Sequence, residues 1–284
     1  MTFETVDVYV MKTLGSLDDW SYPKLPLRRS AGNVFVGSGN AFNVGSLFTK
    51  KYGGNAVSAS SYQAYFDSCD PSDFTSVNII SASGGKDAVR MASFLKERGF
   101  KPNLLTCDQK PPASEFVPQE SIFVYPSFTE PPTYNVSTYA SMIHSLFHED
   151  VGEIIRMLEG LEIPDLRKYK FVLFVSSDEH EPIATMAARK VGESLGGVGS
   201  HGEGLSTARH GMLLHPNKEW LDFCINCSTG TENTYRLDSG SFLGALMATY
   251  YIIGKNQRPE DVESIERNYA ANAQKLGWKF NKVW

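Results

Sequence analysis

Asn33-Val34-Phe35-Val36-Gly37-Ser38-Gly39-Asn40-Ala41-Phe42-Asn43-Val44-Gly45 joins a short apolar run to a glycine-containing turn and then to residues that open a helix. That is how a buried strand feeds a helix. The pattern returns downstream, where Ala56–Ser61, Ser76–Ser81, Asn103–Cys107 and Ile122–Tyr125 read as strands. Lys86–Arg98 reads as a helix, with Val89, Met91, Ala92, Phe94 and Leu95 at helical spacing and Gly99 as its stop. Strand and helix in alternation build βαβ units and a parallel, doubly wound sheet.

After Pro131-Pro132, the segments Thr133–Phe147 and Glu149–Gly160 read as helices. Lys170–Val175 then repeats the apolar opening seen at Asn33, and Pro182–Leu195 follows as a helix. The chain is therefore expected to form two α/β halves, residues 1–150 with an N-terminal extension and residues 151–284 with a polar helical tail, joined across 148–168. Leu221–Asn226 is the one later strand that stands out in the second half, so that half is expected to be reduced.

A chain 42% hydrophobic and 21% charged has an ordinary globular composition. The net charge of −5, with no long Lys/Arg run, argues against nucleic-acid binding driven by phosphate neutralisation. The first residues lack the basic flank and apolar run of a secretory signal, and no segment approaches the roughly 18 apolar residues of a membrane helix. A cytoplasmic protein with neither membrane nor nucleic acid as partner is expected. Cys69, Cys107, Cys224 and Cys227 are too few and scattered to staple a chain of this length. Cys224-Ile-Asn-Cys227 closes an apolar run and has no second pair to complete a zinc site, so it reads as buried strand thiols.

Two turns suit an anion. Ser38-Gly39-Asn40 follows the first strand, and Ser81-Ala82-Ser83-Gly84-Gly85-Lys86 follows the third. Hydroxyls, close backbone N–H groups and one lysine at a helix N-terminus are what a phosphate ester requires. Each turn alone is equally well explained as a strand-to-helix cap. Both fall at the carboxyl ends of parallel strands, where ligands of open α/β sheets bind.

These turns resemble those of the sugar-isomerase (SIS) family, typified by the isomerase portion of glucosamine-fructose-6-phosphate aminotransferase, with fructosamine deglycases and glucosamine-6-phosphate deaminases among its relatives. Gly39–Asn43 and Ser81–Lys86 stand where that family holds phosphate, with Ala41 in place of a hydroxyl residue and Lys86 in place of a threonine. Thr129-Glu130-Pro131-Pro132-Thr133-Tyr134-Asn135-Val136-Ser137-Thr138 resembles an expanded form of the family's acidic residue and Ser-Thr pair, so Ser137 or Thr138 is a candidate for reaching the sugar; helix capping explains them equally. Ser176–Ala184 and Ala187–Glu193 match the family's second strand, turn and Pro-Ile-Ala helix, and His210-Gly211 follows at about the expected distance.

The resemblance implies two flavodoxin-like, three-layer halves, the second reduced, that act on a sugar phosphate without cofactor or metal. It implies Glu193 as the base of aldose–ketose proton transfer, His210 as the group that opens the sugar ring, and a homodimer with shared active sites. A positioned carboxylate suits proton transfer through an enediol, and a histidine exchanges protons near neutrality. Lys190, three residues before Glu193, is a candidate for steadying charge; an exposed Lys–Glu pair is the plainer reading. Asp178, Glu179 and His180 replace the glycines of a phosphate loop, so the second half is expected to take no phosphate there. His144 and His148 are one helical turn apart without a third metal ligand. The family's tail lysine is Ser264 here, leaving Lys275, Lys279 and Lys282 as substitutes. A non-catalytic sugar-phosphate sensor is the rival reading, since fold does not dictate chemistry.

Overall fold

The order of elements along the chain explains where each candidate residue lands. The computed structural model describes residues 3–131, 133–214 and 217–275. Lys279 and Lys282 lie outside them. Two compact units form, one mainly Trp20–Thr129 with Ser141–Leu146, the other Met1–Asp19 and Glu130–Ala140 with Phe147–Ala271.

In the first unit β1 (Asn33–Gly37), β2 (Asn55–Ser58), β3 (Ser76–Ile80), β4 (Asn103–Thr106) and β5 (Ile122–Val124) make a parallel sheet in the order β2-β1-β3-β4-β5. All five β1 residues are buried, as a strand covered on both faces must be. On one face Val34, Val36, Val77, Ile79 and Leu104 pack with Met91, Ala92 and Leu95 of α4 (Asp87–Glu97) and with Tyr62 and Phe66 of α3 (Tyr62–Phe66). On the other, Phe35 meets Phe48 of α2 (Asn40–Tyr52), ring centroids 5.4 Å apart. β1 and β3 are neighbours whose crossovers leave in opposite directions, so the crevice beyond their carboxyl ends is the topological switch point.

In the second unit β6 (Phe171–Ser176), β7 (Gly199–Gly204), β8 (Trp220–Ile225) and β9 (Thr234–Leu237) form a parallel sheet in the order β7-β6-β8-β9. This is the first sheet's order without its last strand. The expectation that Leu221–Asn226 would be nearly alone is corrected by β7 and β9. β7, Gly-Ser-His-Gly-Glu-Gly, carries no apolar residue; it is an edge strand paired with β6 alone. Its glycines have a packing cause, because α7 (Glu181–Ser194) lies directly on it. A Cβ on Gly202 would stand 2.2 Å from the Ala184 carbonyl oxygen.

α1 (Val6–Leu17) and α6 (Val151–Glu159) pack on α9 (Phe242–Lys255), an almost wholly buried helix. Uniform burial leaves α9 no amphipathic period to read. α5 (Val136–Phe147), the short α8 (Leu205–Arg209) and the polar α10 (Pro259–Lys275) complete the described helices, none long and apolar enough to cross a membrane.

Gly202→Ala is expected to destabilise the protein by about 2 kcal/mol or more, because backbone rather than a pliant side chain occupies the space. Urea denaturation checks it, and an unchanged midpoint would show that α7 does not need this close approach.

Candidate functional site

The first cluster lies at the switch point of the first sheet. After β1, Ser38 is exposed, Gly39 has φ 59° and Asn40 opens α2. Asn40 is buried with Oδ1 unpartnered among the described residues, and one helical turn on Asn43 is buried with Nδ2 likewise. A buried polar atom without a partner costs about 1–3 kcal/mol, so an acceptor and a donor left bare in the first turn of one helix mark a place for a polar ligand. Asn40 was legible as a loop residue; Asn43 carries no signal in the sequence beyond its place in the same motif.

After β3, the Ser81 hydroxyl accepts from Gly84 N–H at 3.1 Å and the Ser83 hydroxyl from Gly85 N–H at 3.4 Å. The serines thus brace the loop and keep their own O–H groups as donors. Gly84 has φ 60°, and a Cβ there would meet Pro111 Cβ at 2.3 Å, so no other residue fits. Lys86, the N-cap of α4, takes φ 40°, a left-handed conformation that a β-branched threonine adopts still less readily. The Ser38 side chain hydrogen-bonds the Asp87 carboxyl, joining the two loops. Burial works against that carboxyl's ionisation, but Arg90, Ser38 and the Lys86 charge together hold it below its ordinary value. Two helix N-termini, α2 and α4, thus open on one crevice, the arrangement that stabilises an anion.

The second cluster is built around Lys190 on α7. The plain reading of an exposed Lys–Glu pair is overturned: the Lys190 side chain has no exposed surface. Its ammonium donates to the carbonyls of Thr133 and Tyr134 (2.7 Å to the latter) and to Glu193 Oε2 at 2.9 Å, and it lies 5.1 Å from the Tyr250 ring centroid. Thr133 and Asn135 both have positive φ, at 75° and 47°, so a strained turn aims its carbonyls at the charge. Glu193 is about one-third exposed, 34%, and its carboxylate is reached from solvent. Tyr250 O–H and Thr133 Oγ1 are buried and unpartnered beside these groups. Tyr250 sits in the featureless apolar run of α9, where nothing in the sequence singles it out.

Glu130, also buried, accepts from Val136 N–H at 2.6 Å, from Ser137 N–H at 2.7 Å and from the Ser137 hydroxyl. It is therefore the carboxylate that caps α5. Ser137, expected to cap the helix or reach the sugar, is fully buried with its hydroxyl on Glu130, and Thr138 is buried in the same first turn. Burial outweighs the Ser137 and Val136 hydrogen bonds and the Lys190 charge, and so raises the Glu130 carboxyl above its ordinary 4.5.

His210 is exposed at the end of α8, and its ring makes no hydrogen bond or ion pair among the described residues. The structure does not bring it to Glu193 within the chain. Asp178 is exposed and accepts from Ser206 N–H and O–H, whereas His180 is buried against Phe242. His144 Nδ1 lies 2.8 Å from Tyr22 O–H, and no group of three metal-ligating side chains occurs among the described residues. Lys275 is exposed on α10.

No protein-family model matches the chain, and no curated protein matches it significantly. Solved structures do. A glucosamine-6-phosphate deaminase from Thermotoga maritima is 14% identical, with TM-score 0.59, covering 91% of each chain. A tagatose-6-phosphate ketose/aldose isomerase from Escherichia coli is 13% identical, with TM-score 0.57, covering 94% of this chain and 88% of that one. The C-terminal domain of glucosamine-fructose-6-phosphate aminotransferase from Francisella tularensis is 13% identical, with TM-score 0.55, covering 92% and 94%. The chain shares the fold of these proteins, as its resemblance to the sugar-isomerase family implies.

A raised carboxyl value means that the folded state holds the Glu130 proton more tightly than the unfolded chain. The associated stability is fully present below about pH 4.5 and is lost as pH rises through the folded value. Glu130→Gln, which cannot ionise, is expected to lose less stability than the parent between about pH 4 and about pH 7. The buried Glu149, shifted the same way, is common to both proteins. Parallel losses in urea denaturation at the two pH values would refute the assignment.

Proposed function

We propose that the protein is a sugar-phosphate isomerase acting on a ketose or amino-sugar 6-phosphate. The observation that carries the reading is the buried lysine that fixes Glu193, one-third exposed, in a chain whose loops after β1 and β3 suit an anion. Such a reaction needs an anchor for the phosphate and a base for the carbon acid. Ser38, Gly39, Asn40, Ser81, Ser83 and Lys86 are assigned the phosphate. Glu193 removes the proton from C2 of the open-chain aldose; the C2–H electrons form the enediol double bond as the C1 carbonyl oxygen gains a proton, and return of the Glu193 proton to C1, with loss of the C2 hydroxyl proton as C2=O forms, gives the ketose. Lys190 holds the carboxylate in place and supplies positive charge beside it. Ser137 acts through Glu130 and shapes the turn that receives Lys190, with Thr138 beside it.

His210 is assigned to ring opening from a second copy of the chain, which makes the working form a homodimer. Amine release from an amino-sugar phosphate is the coupled reaction supported by the similarity to a deaminase. Neither assignment requires a cofactor.

Incubation with fructose 6-phosphate or glucosamine 6-phosphate in deuterated water is expected to put solvent deuterium into the recovered sugar. Glu193→Gln should slow incorporation by about 10²–10⁴-fold while the sugar phosphate still raises the melting temperature. Binding without label or product would instead establish a sugar-phosphate sensor.

A further inference from the structure

At the switch point of the second sheet, between β6 and β8, stands Cys224-Ile225-Asn226-Cys227. Cys224 is buried in the last turn of pairing on β8, as expected for a strand thiol. Cys227 is not a strand residue: Asn226 takes φ 54°, the chain bends back, and Cys227 is left partly buried, against Leu173 and Val175. Register shows why the two sulfurs meet. Cys224 is the β8 partner of Val175 on β6, and the Cys227 thiol lies 3.3 Å from the Val175 carbonyl oxygen. Both side chains thus flank one position of β6, and the two thiols are hydrogen-bonded to each other. Thr229 Oγ1 is 3.6 Å from the Cys224 sulfur, a third polar group at the pair.

We propose that Cys224 and Cys227 form a redox-active dithiol site that small disulfides oxidise reversibly to an intramolecular disulfide. The thiolate of the accessible Cys227 attacks one sulfur of the small disulfide and expels the other half as a thiolate. Cys224, deprotonated, then attacks the Cys227 sulfur of the mixed disulfide and expels the second half. The protein gives up two electrons and two protons, and the small disulfide is reduced to two thiols.

The electrostatics suit this chemistry. A thiol beside a thiolate shares its proton with it, and the Cys227 hydrogen bond, aided by Thr229 against the cost of burial, pulls the Cys224 thiol down to about 7. The same pairing, together with burial, pushes the Cys227 thiol up, so the proton of the pair rests on Cys227, which reacts through its minor thiolate form while Cys224 stands ready as the resolving thiolate. The consequence of oxidation falls on Asn226, enclosed in the new ring. Its Oδ1 accepts from Ser239 N–H at 2.7 Å, which turns its Nδ2 toward His180 Nε2, 3.1 Å away. That fixes the His180 proton on Nδ1, facing the Ser177 hydroxyl at 3.0 Å. Closing the ring tightens the turn that holds this histidine.

The test uses the reduced full chain, equilibrated with graded ratios of oxidised to reduced glutathione, quenched with an alkylating reagent and analysed by peptide mass. The segment holding Cys224 and Cys227 is expected to lose both alkylation sites together and two hydrogens of mass, with full recovery on reduction, while Cys69 and Cys107 stay alkylated. Cys224→Ser should trap a stable glutathione adduct on Cys227. Persistent alkylation of both cysteines in the unmutated chain, or a glutathione adduct that never resolves there, would overturn the proposal without reliance on any variant.

Discussion

A fully buried ammonium is the constraint on which the second unit is built. Lys190 has no water to solvate it, and its three partners come from a turn and from its own helix: the Thr133 and Tyr134 carbonyls and Glu193. The strained turn at 133–135 is held from two sides, by the Lys190 ammonium on its carbonyls and by Glu130, which caps α5. α7 is pinned at Lys190 and pressed onto β7 at Gly202, so Glu193 projects from a helix with little freedom to drift. Rigid support of this kind is what the proposed role of Glu193 as a base requires.

The crevice of the first unit rests on a different principle. Its loops follow two adjacent strands whose crossovers diverge, so the crevice exists for topological reasons before any side chain is considered. Side chains then refine it: serine hydroxyls brace the glycine N–H groups, and the Ser38–Asp87 contact ties one loop to the other.

What the sequence disclosed follows from the same physics. Strands buried on both faces, such as Asn33–Gly37 and Phe171–Ser176, announce themselves as apolar runs, and the loops after β1 and β3 are visible as glycine and serine between strand and helix. β7 was hidden because an edge strand under a closely packed helix needs small residues rather than apolar ones, and α9 because uniform burial erases its period. Lys190 was visible as a residue and opaque as an environment. The three-residue spacing to Glu193 is the same for an exposed pair and a buried one, and only the long-range meeting with Thr133 and Tyr134 tells them apart. Glu130 as a cap six residues before its helix lies outside any local capping rule, so the role fell by default to Ser137.

The packing of α1 on α9 also sets a timetable. The apolar side chains Val6, Val10, Leu14 and Leu17 are buried in the finished molecule, yet α9 begins only at Phe242. During synthesis that face waits for a partner for on the order of tens of seconds at ribosomal speeds, while the whole first sheet is made in between. The apolar face of α1 therefore waits for α9 until every strand of both sheets has been made.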